Sequence, residues 1–174
     1  DTDGNARYEK GKCSLNESEH YLIIPSFSPE NKPFGYHSAI TANAAMDISA
    51  AKDVINMYTE MLNYTKVDGY EQAVSEAEAL LRMLPDFMYD ESGAVKEWSM
   101  KEYGENNAHR HISHLYPAWP ALQTQHDSKL ASACRQAIIN RNHENKGKDD
   151  TASHGWIHKA LVDARLKNAD AVYD

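Results

Sequence analysis

Residues 106–117 read NNAHRHISHLYP and place three histidines and an arginine within six positions: His109, Arg110, His111 and His114. In an extended segment His109 and His111 share a face; in a helical one His111 and His114 do. Zinc would accept either pair but needs a third or fourth ligand. Neither a spaced Cys pair nor an HExxH helix stands nearby. Imidazoles also contact polar ligands, or satisfy buried backbone groups with no chemical role. Arg110 favours a ligand, because its rigid fork of donors matches hydroxyl or carboxylate oxygens. The pattern alone leaves a metal site, a polar-ligand loop and a structural cluster all open.

A second feature is SFSPEN, residues 26–31. Pro29 fixes its own φ and restricts Ser28, so Glu30 sits in a stiff turn. A carboxyl group held that way can meet one leaving-group oxygen at about 2.6–3.2 Å, as general acid catalysis requires. The competing reading is a helix start, for which Ser-Pro-Glu is also common. Glu97, beside Trp98 in GAVKEWS, and Asp47 are further carboxylate candidates that spacing does not rank. Phe27, Phe34, Tyr36, Trp98, Tyr103, Tyr116 and Trp119 fall among these motifs. Aromatic rings could stack on the apolar faces of a sugar, or simply pack beneath loops.

The elements that must position these residues are mostly helical. In MDISAAKDVINMYTEMLNYT, Ile48, Ala51, Ile55, Tyr58 and Leu62 recur every three or four positions, with Asp47 as the expected cap. Tyr70, Val74, Ala77, Leu81 and Leu84 form the next stripe, which Pro85 ends; the short connection makes the pair antiparallel. Leu130, Cys134, Ala137 and Ile138 mark a third helix capped by Asp127 or Ser128. Ile157, Ala160, Leu161 and Ala164 mark a fourth, with Ser153 as its cap. Residues 1–45 read as irregular, and 85–126 as a long loop with short strands expected near Phe87–Tyr89 and Val95–Trp98. A structureless stretch that long in a compact chain is either functional or contains elements the pattern misses, and this one contains the histidine motif.

Composition narrows the partners. The 174 residues carry a net charge of −8 and are 41% hydrophobic, which suits a globular domain. No basic stripe exists for nucleic acid, and no run approaches the roughly 20 apolar residues of a membrane helix. The first residues lack the apolar stretch of a signal peptide. Two cysteines, Cys13 and Cys134, do not make a disulfide framework. Asn16-Glu17-Ser18 and Asn63-Tyr64-Thr65 are formal glycosylation sequons.

Taken in order, PSFSPEN, MDISAAKDVI, LLRMLPDF, GAVKEW, HRHISHLYPAWP and GWIHKALVDARLKNADAVY resemble glycoside hydrolase family 95, the inverting α-L-fucosidases and α-L-galactosidases. The resemblance covers nearly all of residues 20–173, and HRHISHL is its most specific piece. It implies an all-α fold, part of an (α/α)6 barrel, with residues 1–174 forming an inner piece of that catalytic domain. The family's upstream paired asparagines and its downstream Asp-Gly-Asn segment, which contributes the general base, have no match here. LYPAWPA replaces the usual Leu-Tyr-Pro-Gly ending, and Asp163 stands where tryptophan is frequent.

The resemblance makes Glu30 the general acid and Arg110 and His111 sugar-binding residues. It assigns His109, His114, Asn31, Glu97 and Trp98 to substrate-binding motif positions. It implies no metal and no cofactor, a glycan substrate, the remainder of the catalytic domain as structural partner, and a secreted or periplasmic setting. Helix faces normally covered by other barrel helices would be exposed. An acid catalyst must hold its proton when substrate arrives; burial under Phe27 or Trp98 would favour this and a neighbouring Arg110 would oppose it. Arg110 is therefore expected to face the sugar and not Glu30. The alternative is a non-catalytic carbohydrate-binding or scaffold piece that keeps the barrel loops without turnover.

Overall fold

The computed structural model describes residues 6–9, 12–15, 20–145 and 152–173; the sequon at Asn16 lies outside them. Two short antiparallel ladders come first, β1 (Ala6–Glu9) with β2 (Lys12–Leu15) and β3 (Ser26–Phe27) with β4 (Ile40–Thr41). The helices α1 (Ala45–Thr65), α2 (Tyr70–Met83), α3 (Ser128–Asn145), α4 (Ser153–Arg165) and α5 (Ala169–Tyr173) carry the architecture. The class is all-α, as expected.

The α1–α2 pair forms where the apolar stripes predict. Ile48 and Leu62 are buried on α1, and Ala77 on α2. Between the helices, Lys66 turns into the left-handed region and returns its N–H to the Leu62 carbonyl at 2.8 Å, which closes α1. Gly69, at φ 80, opens α2 in a conformation that a side chain would resist. The solvent side of α1 is strongly apolar. Val54, Met57, Met61 and Tyr64 recur at helical spacing and are all exposed, Tyr64 at 90%. Tyr58, expected in the buried stripe, belongs to this outer face. Asn63 lies in α1 on the exposed side.

The segment between α2 and α3 has almost no regular structure, only 3-10 turns at Ser113–Leu115 and Gln123–Gln125. The strands expected near residues 87–89 and 95–98 reduce to single bridges, Tyr89 with Val95 and Ala44 with Trp98. The segment is nevertheless part of the core. Its Val95, Ile112, Leu115 and Ala118 pack with Leu130, Cys134, Ala137 and Ile138 of α3 and with Val162 and Leu166 at the end of α4. Burial pushes the Cys134 thiol up to about 12, so this cysteine acts as a core side chain.

Three expectations are corrected. Asp47 does not cap α1; the helix begins after Ala44, and Asp47 accepts hydrogen bonds from Ser26 Oγ at 2.6 Å and from the Phe27 N–H. Ser153 makes no cap, whereas Asp127 caps α3 by accepting from the Leu130 N–H at 2.9 Å. The stripe expected to be buried on α4 is the outer one: Ile157 and Leu161 are exposed, while Gly155, Lys159, Val162 and Asp163 face inward. Counting apolar residues misplaces this face because a buried lysine and aspartate occupy it.

Leu115 is fully buried between the loop and α3. Leu115→Ala is expected to lower the unfolding free energy by about 2–5 kcal/mol, read from urea unfolding midpoints at constant slope.

Candidate active site

The SPEN turn is held from beneath by a buried carboxylate. Glu97 Oε1 accepts from Ser28 Oγ at 2.6 Å; Oε2 accepts from Asn31 Nδ2 at 2.7 Å and from Arg141 Nη2 at 2.7 Å. Asn31 and Asn106 exchange further bonds, Asn31 Nδ2 to the Asn106 carbonyl and Asn106 Nδ2 to Asn31 Oδ1, each at 3.0 Å. Above the turn, Ser113 Oγ donates to the Pro29 carbonyl. The turn carrying Glu30 is thus tied to the histidine loop and to α3 at once. It is a turn and not a helix start.

Glu30 itself points outward. Its carboxylate forms an ion pair with Arg110 Nη2 and lies 3.6 Å from His111 Nε2. The expectation that Arg110 avoids Glu30 is therefore corrected. The Glu30 side chain is 61% exposed, and Trp98 is fully buried and does not line the cavity with it. The carboxylate stays largely solvated while the Arg110 side chain, 32% exposed, is partly enclosed, so the pair forms at little desolvation cost to Glu30. His111 is more enclosed. Burial lowers its affinity for a proton, Arg110 adds to this and Glu30 opposes it. The net direction leaves the ring neutral at pH 7, with one donor and one acceptor nitrogen.

Glu30 and His111 open on a cavity of about 330 Å³, which Arg110, paired with Glu30, does not itself line. Pro29 and Glu30 of the turn, His111 and Ser113 of the loop, Tyr116 and Trp119, and His154 and His158 of α4 line it, with Met46, Ile112 and Val162 between them. Glu30 is the one carboxylate lining it among the described residues. His109 stands behind His111, accepting from its N–H through Nδ1 at 3.2 Å.

The other expected contacts lie elsewhere. Asn31, Glu97, Trp98 and His114 are each no more than 1% exposed and do not line the cavity. Their polar atoms face one another or the interior. His114 approaches Arg141 within 3.4 Å through Nδ1, and Trp98 packs edge-on to Tyr103. Among the described residues no three His, Cys, Asp or Glu side chains group as a metal ion would require.

Several functional positions went unseen in the sequence. Arg141 stands seven residues beyond Cys134, in phase with the buried stripe of α3, and a charged residue in an apolar phase is a readable signal. His154 and His158 are an i, i+4 pair on one helix face, a signal equally available. Glu105 had none. It accepts the Glu97 N–H through Oε2 at 2.9 Å, and burial pushes its carboxyl up to about 7.

The glycosyl hydrolase family 95 catalytic-domain model matches residues 6–174. Alpha-L-fucosidase 2 of Arabidopsis thaliana is 26% identical over 156 residues, covering 86% of this chain. The chain spans 17% of that relative's length.

The buried network makes stability depend on pH. Burial holds the His114 ring down to about 3, below its ordinary 6.5, and Arg141 adds to this. Burial alone would raise Glu97, but Arg141, His114 and the Ser28 hydrogen bond bring it below 4.5. Both groups take up protons on unfolding, so their contribution is lost as pH falls. Glu105 acts oppositely: its contribution is present below 4.5 and is lost as pH rises to about 7. The two effects oppose between pH 4.5 and 6.5, and acid destabilisation is unopposed below 4.5. The unfolding free energy is expected to fall steeply from pH 4.5 to 3, and His114→Gln to flatten that fall, in urea titrations across the range.

Proposed function

The chain belongs to glycosyl hydrolase family 95, and from that premise we propose that it supplies the acid half of a hydrolytic site for terminal α-L-fucosides or α-L-galactosides. The observation that carries the reading is the meeting of Glu30, Arg110 and His111 across eighty residues of chain, with Glu30 and His111 lining one cavity and Arg110 paired to Glu30 beside it. A rigid turn, a proton donor and neutral or cationic hydrogen-bond donors are what protonation of a glycosidic oxygen needs.

In this reading Glu30 gives its proton to the departing oxygen. Without ligand, its carboxylate is paired with Arg110. A sugar entering the cavity offers hydroxyls that compete for the guanidinium, and drawing Arg110 onto the sugar removes the cation from the acid. The resting pair then holds both groups in place until substrate separates them. His111, neutral and half-enclosed, serves the sugar hydroxyls as donor and acceptor. His109 orients the backbone of His111 from behind. Asn31, Glu97, Trp98 and His114 act through position alone.

An inverting enzyme needs a second carboxylate about 6.5–9.5 Å from the acid, with a water between. In this reading the base comes from another part of the catalytic domain, which agrees with Glu30 being the only carboxylate on the cavity wall among the described residues. The exposed apolar face of α1 supports the same view, as a surface against which further barrel helices pack. The substrate is a glycan. The second reading, a non-catalytic carbohydrate-binding or scaffold piece, is favoured by the solvent exposure of Glu30 and differs in its kinetic outcome.

In the whole protein, Glu30→Gln is expected to lower turnover of alkyl glycosides about 10²–10⁴-fold while leaving substrate binding measurable by calorimetry. Aryl glycosides with good leaving groups should lose much less. Unchanged turnover of the alkyl glycosides would remove Glu30 from the acid role and favour the scaffold reading. Arg110→Ala is expected to reduce kcat/KM by the equivalent of about 1.5–3 kcal/mol, the worth of hydrogen bonds from a charged donor; wild-type kinetics would refute its contact with the sugar.

A further inference from the structure

The acid turn is gripped from a second side by a tripeptide that does not line the cavity. Gly104, Glu105 and Asn106 run alongside residues 31–34, directly after the acid. The Gly104 carbonyl accepts the Phe34 N–H at 3.0 Å. Asn106 Nδ2 donates to Asn31 Oδ1 at 3.0 Å and to the Lys32 carbonyl at 3.2 Å, and the Asn106 carbonyl accepts from Asn31 Nδ2 at 3.0 Å. Glu105, between them, reaches the other way. Its Oε2 accepts the Glu97 N–H at 2.9 Å, and the Glu97 carbonyl accepts the Ala45 N–H, at the start of α1, at 2.9 Å. The backbone of Glu97 is thereby held on both sides, and its side chain is the one that holds Ser28 and Asn31.

The loop leading to this tripeptide is closed on itself. Lys96 Nζ donates to the Met100 carbonyl at 2.6 Å and to the Tyr103 carbonyl at 2.8 Å. Glu105 then joins the two grips on the turn, the one from Asn106 and the one from Glu97. Burial pushes its carboxyl up to about 7, so below neutral pH it accepts the Glu97 N–H as a neutral acid, and glutamine reproduces that acceptor. Closing a loop and placing an acid are different roles. They are separable, because only a poor leaving group needs the acid.

Resting on the glycosidase reading above, we infer that Glu105, with Asn106 beside it, is a positioning residue for the general acid: it ties the two grips on the SPEN turn together and so sets where Glu30 stands, without touching the sugar. A misplacement of about 1 Å can cost about 10²-fold in rate, so a bond this far from the sugar still governs protonation of the leaving oxygen. Binding of the sugar is left to Arg110 and His111. The effect of Glu105 therefore falls on kcat and not on KM.

The test compares, in the whole protein and below neutral pH, the methyl glycoside and the para-nitrophenyl glycoside of whichever terminal sugar it cleaves. Methanol is a poor leaving group that needs the acid; nitrophenolate largely departs without it. Glu105→Ala is expected to lower kcat for the methyl glycoside at least about tenfold more than for the nitrophenyl glycoside, with KM for both within about threefold of the unaltered protein. Glu105→Gln, which keeps the acceptor, is expected to bring the methyl glycoside back to within about threefold. Equal losses on the two substrates in folded Glu105→Ala, no loss, a loss confined to KM, or no recovery in Glu105→Gln would overturn the inference. If Glu105→Ala does not fold by circular dichroism, Asn106→Ala carries the same expectation, and equal losses there sink it. Glu30→Gln, measured alongside, separates this failure from that of the underlying reading. Were it to lose no more on the methyl than on the nitrophenyl glycoside, the acid role itself would fall, and this inference with it.

Discussion

A carboxylate with no access to water organises this structure. Glu97 is fully buried, and an unpaired charge in that position would not be tolerated. Its two oxygens receive Ser28, Asn31 and Arg141, which come from the SPEN turn and from α3. Removing any one of these donors leaves the charge less compensated, so the turn, the Glu-Trp segment and the helix must all be in place together. Such a network contributes little net stability against an apolar packing of equal volume. What it contributes here is geometry: Asn31, next to Glu30 in the chain, is held to Glu97 and to Asn106 at once.

The division between buried network and exposed mouth separates two tasks that a motif merges. HRHISHL and SPEN each contain residues of both kinds. Arg110 and His111 reach Glu30, while His114 turns inward to Arg141. Glu30 faces the cavity, while Asn31 next to it is almost wholly enclosed. Adjacent residues in a loop point in different directions, and the backbone decides which of them touches ligand. The Glu30–Arg110 pair at the mouth is the solvent-exposed counterpart of the Glu97–Arg141 pair below. Of the two, the exposed one is the pair that a ligand can open, because water already shares its charges.

Much of this was legible beforehand. The α1 and α2 stripes, the Asp127 cap and the buried face of α3 follow from periodicity and side-chain chemistry. The order of the family motifs supplied the candidate acid and the all-α class. Two kinds of information were not legible. The inward face of α4 carries Lys159 and Asp163, with Asn168 beyond the helix end donating to Asp163 Oδ1 at 3.0 Å, and no apolar pattern announces that burial. The direction of each side chain in the loop depends on tertiary packing, so Asn31, Glu97, Trp98 and His114 could not be separated from Glu30, Arg110 and His111 by their positions in the chain. Arg141 and the His154–His158 pair are a different case. Their phase and spacing are present in the sequence.

One feature of the histidine loop bears on how this site can change over evolutionary time. Its residues divide between wall and core: His111, Ser113 and Tyr116 line the cavity, Leu115 and Ala118 pack into the interior, and Ile112 and Trp119 touch both. A segment anchored at every second or third residue cannot swing aside as a gate, so ligands enter and leave past a fixed rim. Inserting or deleting a single residue would exchange the two sets and dismantle floor and foundation in one step. New preferences at this site must therefore arise by exchanging one side chain for another on an unchanged backbone.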